Sequence, residues 1–173
     1  MREQLTNSLG KPTDYVVREG AAEDIPRLQS LWLALYDNQK ANGMLVDLPE
    51  DAFDSWTASL LPMLGRFTCV FVAEKGEELA GFLAGRVRAL PAYFGGAQVG
   101  FISDVYVDAA HRRNGLGRQL VEDATKWFRN LGIARLELQV IVNNPSARKL
   151  YKELGWSEEL LQMVWQTERA TDG

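Results

Sequence analysis

The stretch His111-Arg112-Arg113-Asn114-Gly115-Leu116-Gly117-Arg118 decides how this chain folds, because the residue pattern changes across it. Before it, Val99-Gly100-Phe101-Ile102-Ser103-Asp104-Val105-Tyr106-Val107 concentrates β-branched and aromatic residues, as a strand interior does. After it, Leu116, Leu120, Ala124, Trp127, Phe128 and Leu131 recur at steps of three and four, the apolar stripe of an amphipathic helix. Gly132 supplies a helix stop. The order is strand, short basic loop, two glycines, helix.

That order has a chemical use. The first backbone N–H groups of a helix lack internal partners, and the helix dipole adds partial positive charge there. Gly115 and Gly117 let an anion approach the backbone without a Cβ in the way, and Arg112 and Arg113 add charge and donors. A phosphate-bearing ligand suits such a place. So does the plainer alternative, a glycine-containing helix start with solvated arginines. A nucleoside-triphosphate loop is excluded, since it needs Gly-Lys-Ser/Thr and Gly117 is followed by Arg118 and Gln119. The dinucleotide fingerprint also fails. Its third glycine position is Leu120, and the loop from Val107 to Gly115 is too long for a glycine directly after the strand.

The motif Arg112-x-x-Gly115-x-Gly117 after a hydrophobic strand resembles the acyl-CoA pyrophosphate loop of the GNAT superfamily of N-acetyltransferases. The likeness continues through Asn144-Pro145-Ser146-Ala147-Arg148-Lys149-Leu150-Tyr151-Lys152-Glu153-Leu154-Gly155-Trp156, which is similar to that family's later helix. It covers residues 98–157 firmly and the preceding part in layout only. The resemblance implies a mixed α/β (α+β) domain, a central sheet of about six to seven strands flanked by about four helices. We expect it to span residues 14–167, between a flexible segment 1–13 and a tail 168–173.

Composition agrees with one folded domain. A chain of 173 residues buries roughly 70% of its unfolded surface. Its 46% hydrophobic and 24% charged residues exclude a disordered chain. The net charge of −4 sets the basic loop apart as a local feature and argues against a nucleic-acid partner. Cys69 is the sole cysteine, so no internal disulfide forms, and His111 is the sole histidine, so no histidine-built metal site is expected. Residues 1–14 lack the apolar core of a signal peptide and no run approaches a membrane span, so the expected location is cytoplasmic, with no membrane partner.

Along the chain, Tyr15-Val16-Val17-Arg18 reads as a short strand. Ile25, Leu28, Trp32 and Leu35 mark a helix with Asp24 as a cap, and Phe53, Trp56 and Leu60 mark a second. Phe67–Ala73 and Leu79–Val87 form a hairpin about Lys75-Gly76-Glu77, with Gly81 and Gly85 marking close packing or a bulge. Tyr93 and Phe94 sit in a loop, either packed there or walling a substrate site. Leu136–Val142 alternates as a strand, Asn144 caps a helix with Pro145 at its first position, and Leu161–Trp165 offers a last strand.

The resemblance then implies roles. Acetyl-CoA is the co-substrate, and acetyl passes directly to a primary amine of a small molecule or peptide terminus. The backbone of Val105, Tyr106 and Val107 would meet the pantetheine arm through a widened gap beside Leu136–Val142. Arg112, Arg113, Asn114, Gly115, Leu116, Gly117 and Arg118 would take the pyrophosphate, although Arg118 serves equally as surface cover. Asn144, Ser146 and Tyr151 would complete the coenzyme contacts, and Tyr151 would give a proton to the departing sulfur. From periodicity alone Tyr151 is more often a core aromatic than a catalyst. Asp104, among apolar residues, is a candidate base whose pKa burial would raise; a structural hydrogen bond or a cation contact serves as well. His111 is expected as a polar loop residue near phosphate, and Cys69 as a small core residue. Asp37, Asp47, Glu50, Asp51 and Asp54 crowd the first two helices. They are either an acidic pocket for a cationic amine or a solvated helix face. The family also commonly forms a homodimer. The reading from another class is a non-catalytic acyl-CoA-binding or interaction module on the same fold.

Overall fold

The computed structural model describes residues 14–44 and 46–165. The expected segments 1–13 and 168–173, and the last two residues of the expected domain, lie outside the described residues. Five strands form one mixed sheet in the order β1 (Tyr15–Glu19), β2 (Thr68–Lys75), β3 (Glu78–Ala89), β4 (Gln98–Val107), β5 (Leu136–Leu138). The first four pair antiparallel, and β5 joins β4 in parallel after the crossover helix α3 (Leu116–Asn130). Helices α1 (Gln29–Ala41) and α2 (Ala52–Leu60) precede β2, and α4 (Pro145–Glu153) follows β5.

Strand alternation sorts the core into two layers. Cys69, Phe71 and Ala73 of β2 face Leu120, Val121, Ala124 and Phe128 of α3, while Val70 and Val72 face Trp32 and Leu35 of α1. These side chains are fully or nearly buried, and each large one is worth about 1.5–3 kcal/mol. The sheet is therefore covered on both faces, with α1 and α2 on one and α3 on the other. Tyr151, Leu154 and Trp156 pack with the α3 layer.

Several expectations change. The strand expected at Leu161–Trp165 is absent, which leaves five strands rather than six or seven among the described residues. That segment has no ladder; a side-chain bond from Gln139 to Gln162 at 3.3 Å ties it to the residues after β5. The strand expected over Leu136–Val142 shrinks to Leu136–Leu138, because pairing with β4 stops at Ile102. Asp24 is not the cap itself. It lies three residues past the cap position, Ala21, and accepts from its backbone N–H at 2.9 Å. Tyr93 and Phe94 are neither packed nor part of a cleft: 82% and 66% exposed, they touch each other beyond the core at the β3–β4 turn. Gly81 and Gly85 do sit at register breaks, opposite close backbone; a Cβ on Gly81 would lie 2.7 Å from Tyr106 O.

Candidate active site

The site begins with one extra residue. Ala84 pairs with Asp104 and Gly85 with Ile102, so Ser103 is an unmatched residue, a β-bulge in β4. In a regular strand Ile102 and Asp104 would share a face. The bulge separates them: Ile102 packs under α3, whereas Asp104 turns toward α1 and α2. Beyond the bulge β4 diverges from β5, whose last paired residue is Leu138. The residues from Ser103 to Val107 therefore have no partner strand on that side.

A cleft of about 80 Å³ opens where the two strands separate. Ser103, Asp104 and Val105 form one wall and Leu138–Ile141 another. Asn144, Ala147 and Tyr151 of α4 close one part, and Leu35, Asn38 and Gln39 of α1 close the rest. The structure thus brings Asp104, Tyr151 and Asn144 together around one space. A wider polar depression of about 460 Å³, bounded by Arg27, Glu78, Asp108 and His111, contains neither Asp104 nor Tyr151.

Asp104 is 5% exposed. Its Oδ2 accepts from the Ser103 hydroxyl at 2.6 Å and from the Trp56 indole N–H at 3.3 Å. Burial pushes its pKa up from the ordinary carboxylate value, and these two bonds only partly offset that. The Tyr36 phenol is raised as well, by burial and then by the Asp104 charge. Tyr36 and Trp56 both belong to an aromatic cluster with Trp32 and Phe53. Burial pushes the Tyr151 phenol up to about 12, so it keeps its proton at neutral pH. Its ring meets Trp156 edge-on, with centroids 6.0 Å apart.

The glycine loop has the predicted form. Gly115 stands before α3 at φ +77°, and Arg113 is the one described non-glycine residue with positive φ, at 66°. The Gln119 N–H is bonded to Gly115 O at 3.0 Å, which begins the helical series and leaves the preceding N–H groups of α3 facing outward. Gly117 packs closely on α4: a Cβ there would lie 3.3 Å from Leu150 Cδ2. Asn114 fixes the loop by donating to His111 O at 3.0 Å. Leu116 is buried, so only its backbone is available. Arg112 folds back, its Nε donating to Val107 O at 2.9 Å and its guanidinium lying 5.7 Å from the Tyr106 ring centroid. Arg118 pairs with Glu153 of α4 at 3.1 Å. Asn144 caps α4, accepting from Ala147 N at 3.1 Å and from the exposed Ser146 hydroxyl at 3.0 Å.

Other residues resolve plainly. His111 is held away from the loop's outer face by Tyr15 OH at 2.9 Å and Glu78 at 3.3 Å. Cys69 is fully buried, and burial pushes its thiol up to about 12, which removes it as a nucleophile at neutral pH. The five acids of the first two helices are all exposed and none lines the cleft. Sequence reading missed Ser103, Tyr36 and Trp56 as neighbours of Asp104. The signal in the sequence was Gly85, read as close packing or a bulge, which lies at the register break but does not show that the extra residue is Ser103 of β4.

The residues fit an acyl-CoA in three respects: outward N–H groups at a glycine-bounded helix start, an unpaired strand edge, and a protonated phenol at the cleft. Among the described residues no group of three or more metal-binding side chains occurs, and no helix is long and apolar enough to cross a membrane.

Comparison with known proteins gives the same picture. Residues 25–156 match the model of the Acetyltransferase (GNAT) family. Mycothiol acetyltransferase of Catenulispora acidiphila is 32% identical over 96 residues, which is 56% of this chain and 30% of that protein. The [ribosomal protein bS18]-alanine N-acetyltransferase of Escherichia coli K12 is 36% identical over 59 residues, 34% of this chain and 40% of that protein. The matches thus span well under half the length of these relatives. Among solved structures, aminoglycoside N-acetyltransferase AAC(6')-Iy in complex with CoA superposes with a TM-score of 0.69 at 18% identity, over 90% of this chain and 95% of that one. At that identity the likeness shows the fold alone.

Proposed function

The chain belongs to the acetyltransferase (GNAT) family, and on that premise we propose that it is an acetyl-CoA-dependent N-acetyltransferase acting directly on a primary amine of a small molecule or peptide terminus. The observation that carries this reading is the convergence of Asp104 and Tyr151 on one cleft, made where the Ser103 bulge parts β4 from β5. A module that only bound the coenzyme would need the phosphate loop and the strand edge, but neither a buried carboxylate nor a protonated phenol beside them.

In this reading the N–H groups of Gly115–Arg118, with Arg112, Arg113 and Asn114, hold the pyrophosphate, and the free edge at Val105–Val107 holds the pantetheine arm. Asn144 and Ser146 border its path. When bound, acetyl-CoA supplies a thioester whose acetyl carbon bonds to the amine nitrogen as the carbon–sulfur bond breaks. Asp104 takes one proton from the ammonium, directly or through water, and passes it to solvent. A second proton lost from nitrogen balances the one Tyr151 delivers to sulfur. Cys69 is buried and protonated, which supports transfer without an acyl-enzyme. A cytoplasmic location and a homodimer are included in the reading on family habit alone.

Replacement Tyr151→Phe tests the acid role. Free thiol release from acetyl-CoA with an accepted amine should fall about 100-fold in kcat, with acetyl-CoA affinity kept. An unchanged kcat would remove Tyr151 from the chemistry.

A further inference from the structure

The lining of the cleft narrows the acceptor, given the N-acetyltransferase reading above. Among the described residues Asp104 is the one carboxylate that lines it, and no lysine, arginine or histidine does. The other polar side chains are neutral: carboxamides at Asn38 and Gln39 on α1 and Gln139 after β5, the Ser103 hydroxyl bonded to Asp104, and Asn144 and Tyr151, which the reading above gives to the coenzyme. The acids that give the first two helices their negative character point elsewhere. Asp47 pairs with Lys40 at 2.7 Å, and Asp51 accepts from Ser55 at 3.3 Å.

This arrangement has a charge capacity of one. A single ammonium finds its partner in Asp104, which must in any case be near the reacting nitrogen. A second ammonium in the same space would lose hydration among neutral amides and gain no counter-ion. A carboxylate on the acceptor would meet no cation and would face Asp104, a like charge. Carboxamides instead offer one donor group and one acceptor each, the complement of hydroxyls and amides. Trp56 donates its indole N–H to Asp104 from outside the cleft lining and holds the carboxylate in place. We infer that the cleft selects an amine bearing a single positive charge on an uncharged body of amides or hydroxyls, such as an amino sugar or a peptide N-terminus, over polyamines, aminoglycosides and free amino acids.

The test is kcat/KM for acetyl transfer to alaninamide, glucosamine, free alanine, spermidine and kanamycin, beside calorimetric binding of the same amines to the protein alone. One of the two singly charged, neutral-bodied amines should exceed each of the other three by at least about tenfold in kcat/KM and bind more tightly. Asn38→Asp adds a second carboxylate to the lining and should move the spermidine-to-alaninamide ratio up about tenfold. Preference for spermidine or kanamycin in the wild type overturns the inference while leaving the acetyltransferase reading intact. Transfer to none of the five, with none of them bound, overturns the inference, while amine-dependent thiol release from acetyl-CoA with any other amine keeps the acetyltransferase reading.

Discussion

Asp104 is held where its charged form is least at ease, and this has consequences for stability and for rate. Its pKa in the folded protein lies above the unfolded value, because burial outweighs the bonds from Ser103 and Trp56. The folded state therefore keeps a proton that the unfolded chain releases. Stability from this group is fully present below the ordinary carboxylate range and is lost as pH rises through the raised pKa. Asp104→Asn removes that loss. We expect the variant to melt at a higher temperature than wild type at pH 8, with the gap closing toward pH 4; a gap that widens on acidification would contradict the account. The same substitution should lower kcat/KM at least about 100-fold and abolish a rise with pH seen in the wild type above the usual carboxylate range. Asp24 shows the opposite sign. Arg18 holds its carboxyl at about 2, through bonds of 2.7 and 2.9 Å, on a side chain only 7% exposed. Its contribution is present above the unfolded pKa and lost as pH falls toward 2. Asp24→Asn should destabilise by about 2 kcal/mol at pH 7 in urea titrations, by roughly half of that at pH 3, and by little at pH 2.

At the scale of elements, the bulge in β4 makes the site. Ser103 lets Ile102 and Val105 both face α3 while Asp104 faces α1 and α2, and it ends the pairing with β5. Deleting Ser103 restores a regular strand able to pair further along β5. We expect the variant to keep its circular dichroism spectrum yet lose acetyl-CoA affinity at least about tenfold by calorimetry. Retained affinity would show that the gap does not depend on the bulge. The elements themselves were largely legible in the sequence. The α3 stripe, the hairpin about Gly76 and the Asn144-Pro145 start of α4 are local patterns, set by side-chain period and capping. The bulge was less so, because Gly85 announces an irregular partner without saying which strand carries the extra residue. Leu161–Trp165 misled for a related reason. Its apolar composition suits a strand, but a strand also needs an edge, and β5 ends at Leu138.

At the scale of the whole molecule, two helical layers on opposite faces of one sheet leave a cleft where β4 and β5 part. The form of the glycine loop was readable because glycine spacing marks a helix start. Tyr151 was singled out by family resemblance, and Asp104 as a carboxylate among apolar strand residues, which the structure finds buried. The surroundings of Asp104 were not, since Tyr36, Trp56 and Asp104 are brought together only by folding across more than forty residues of chain. For the acids around α1 and α2 the sequence left an acidic pocket and a solvated face open, and the structure shows all five exposed. What remains central is direct transfer of acetyl to an amine. The most direct measurement follows free thiol from acetyl-CoA with and without alaninamide or glucosamine, and weighs the amine product by mass spectrometry. The account predicts amine-dependent thiol release matched one to one by N-acetylated amine. Tight binding of acetyl-CoA with no amine-dependent release would contradict it and leave a binding module on the same fold.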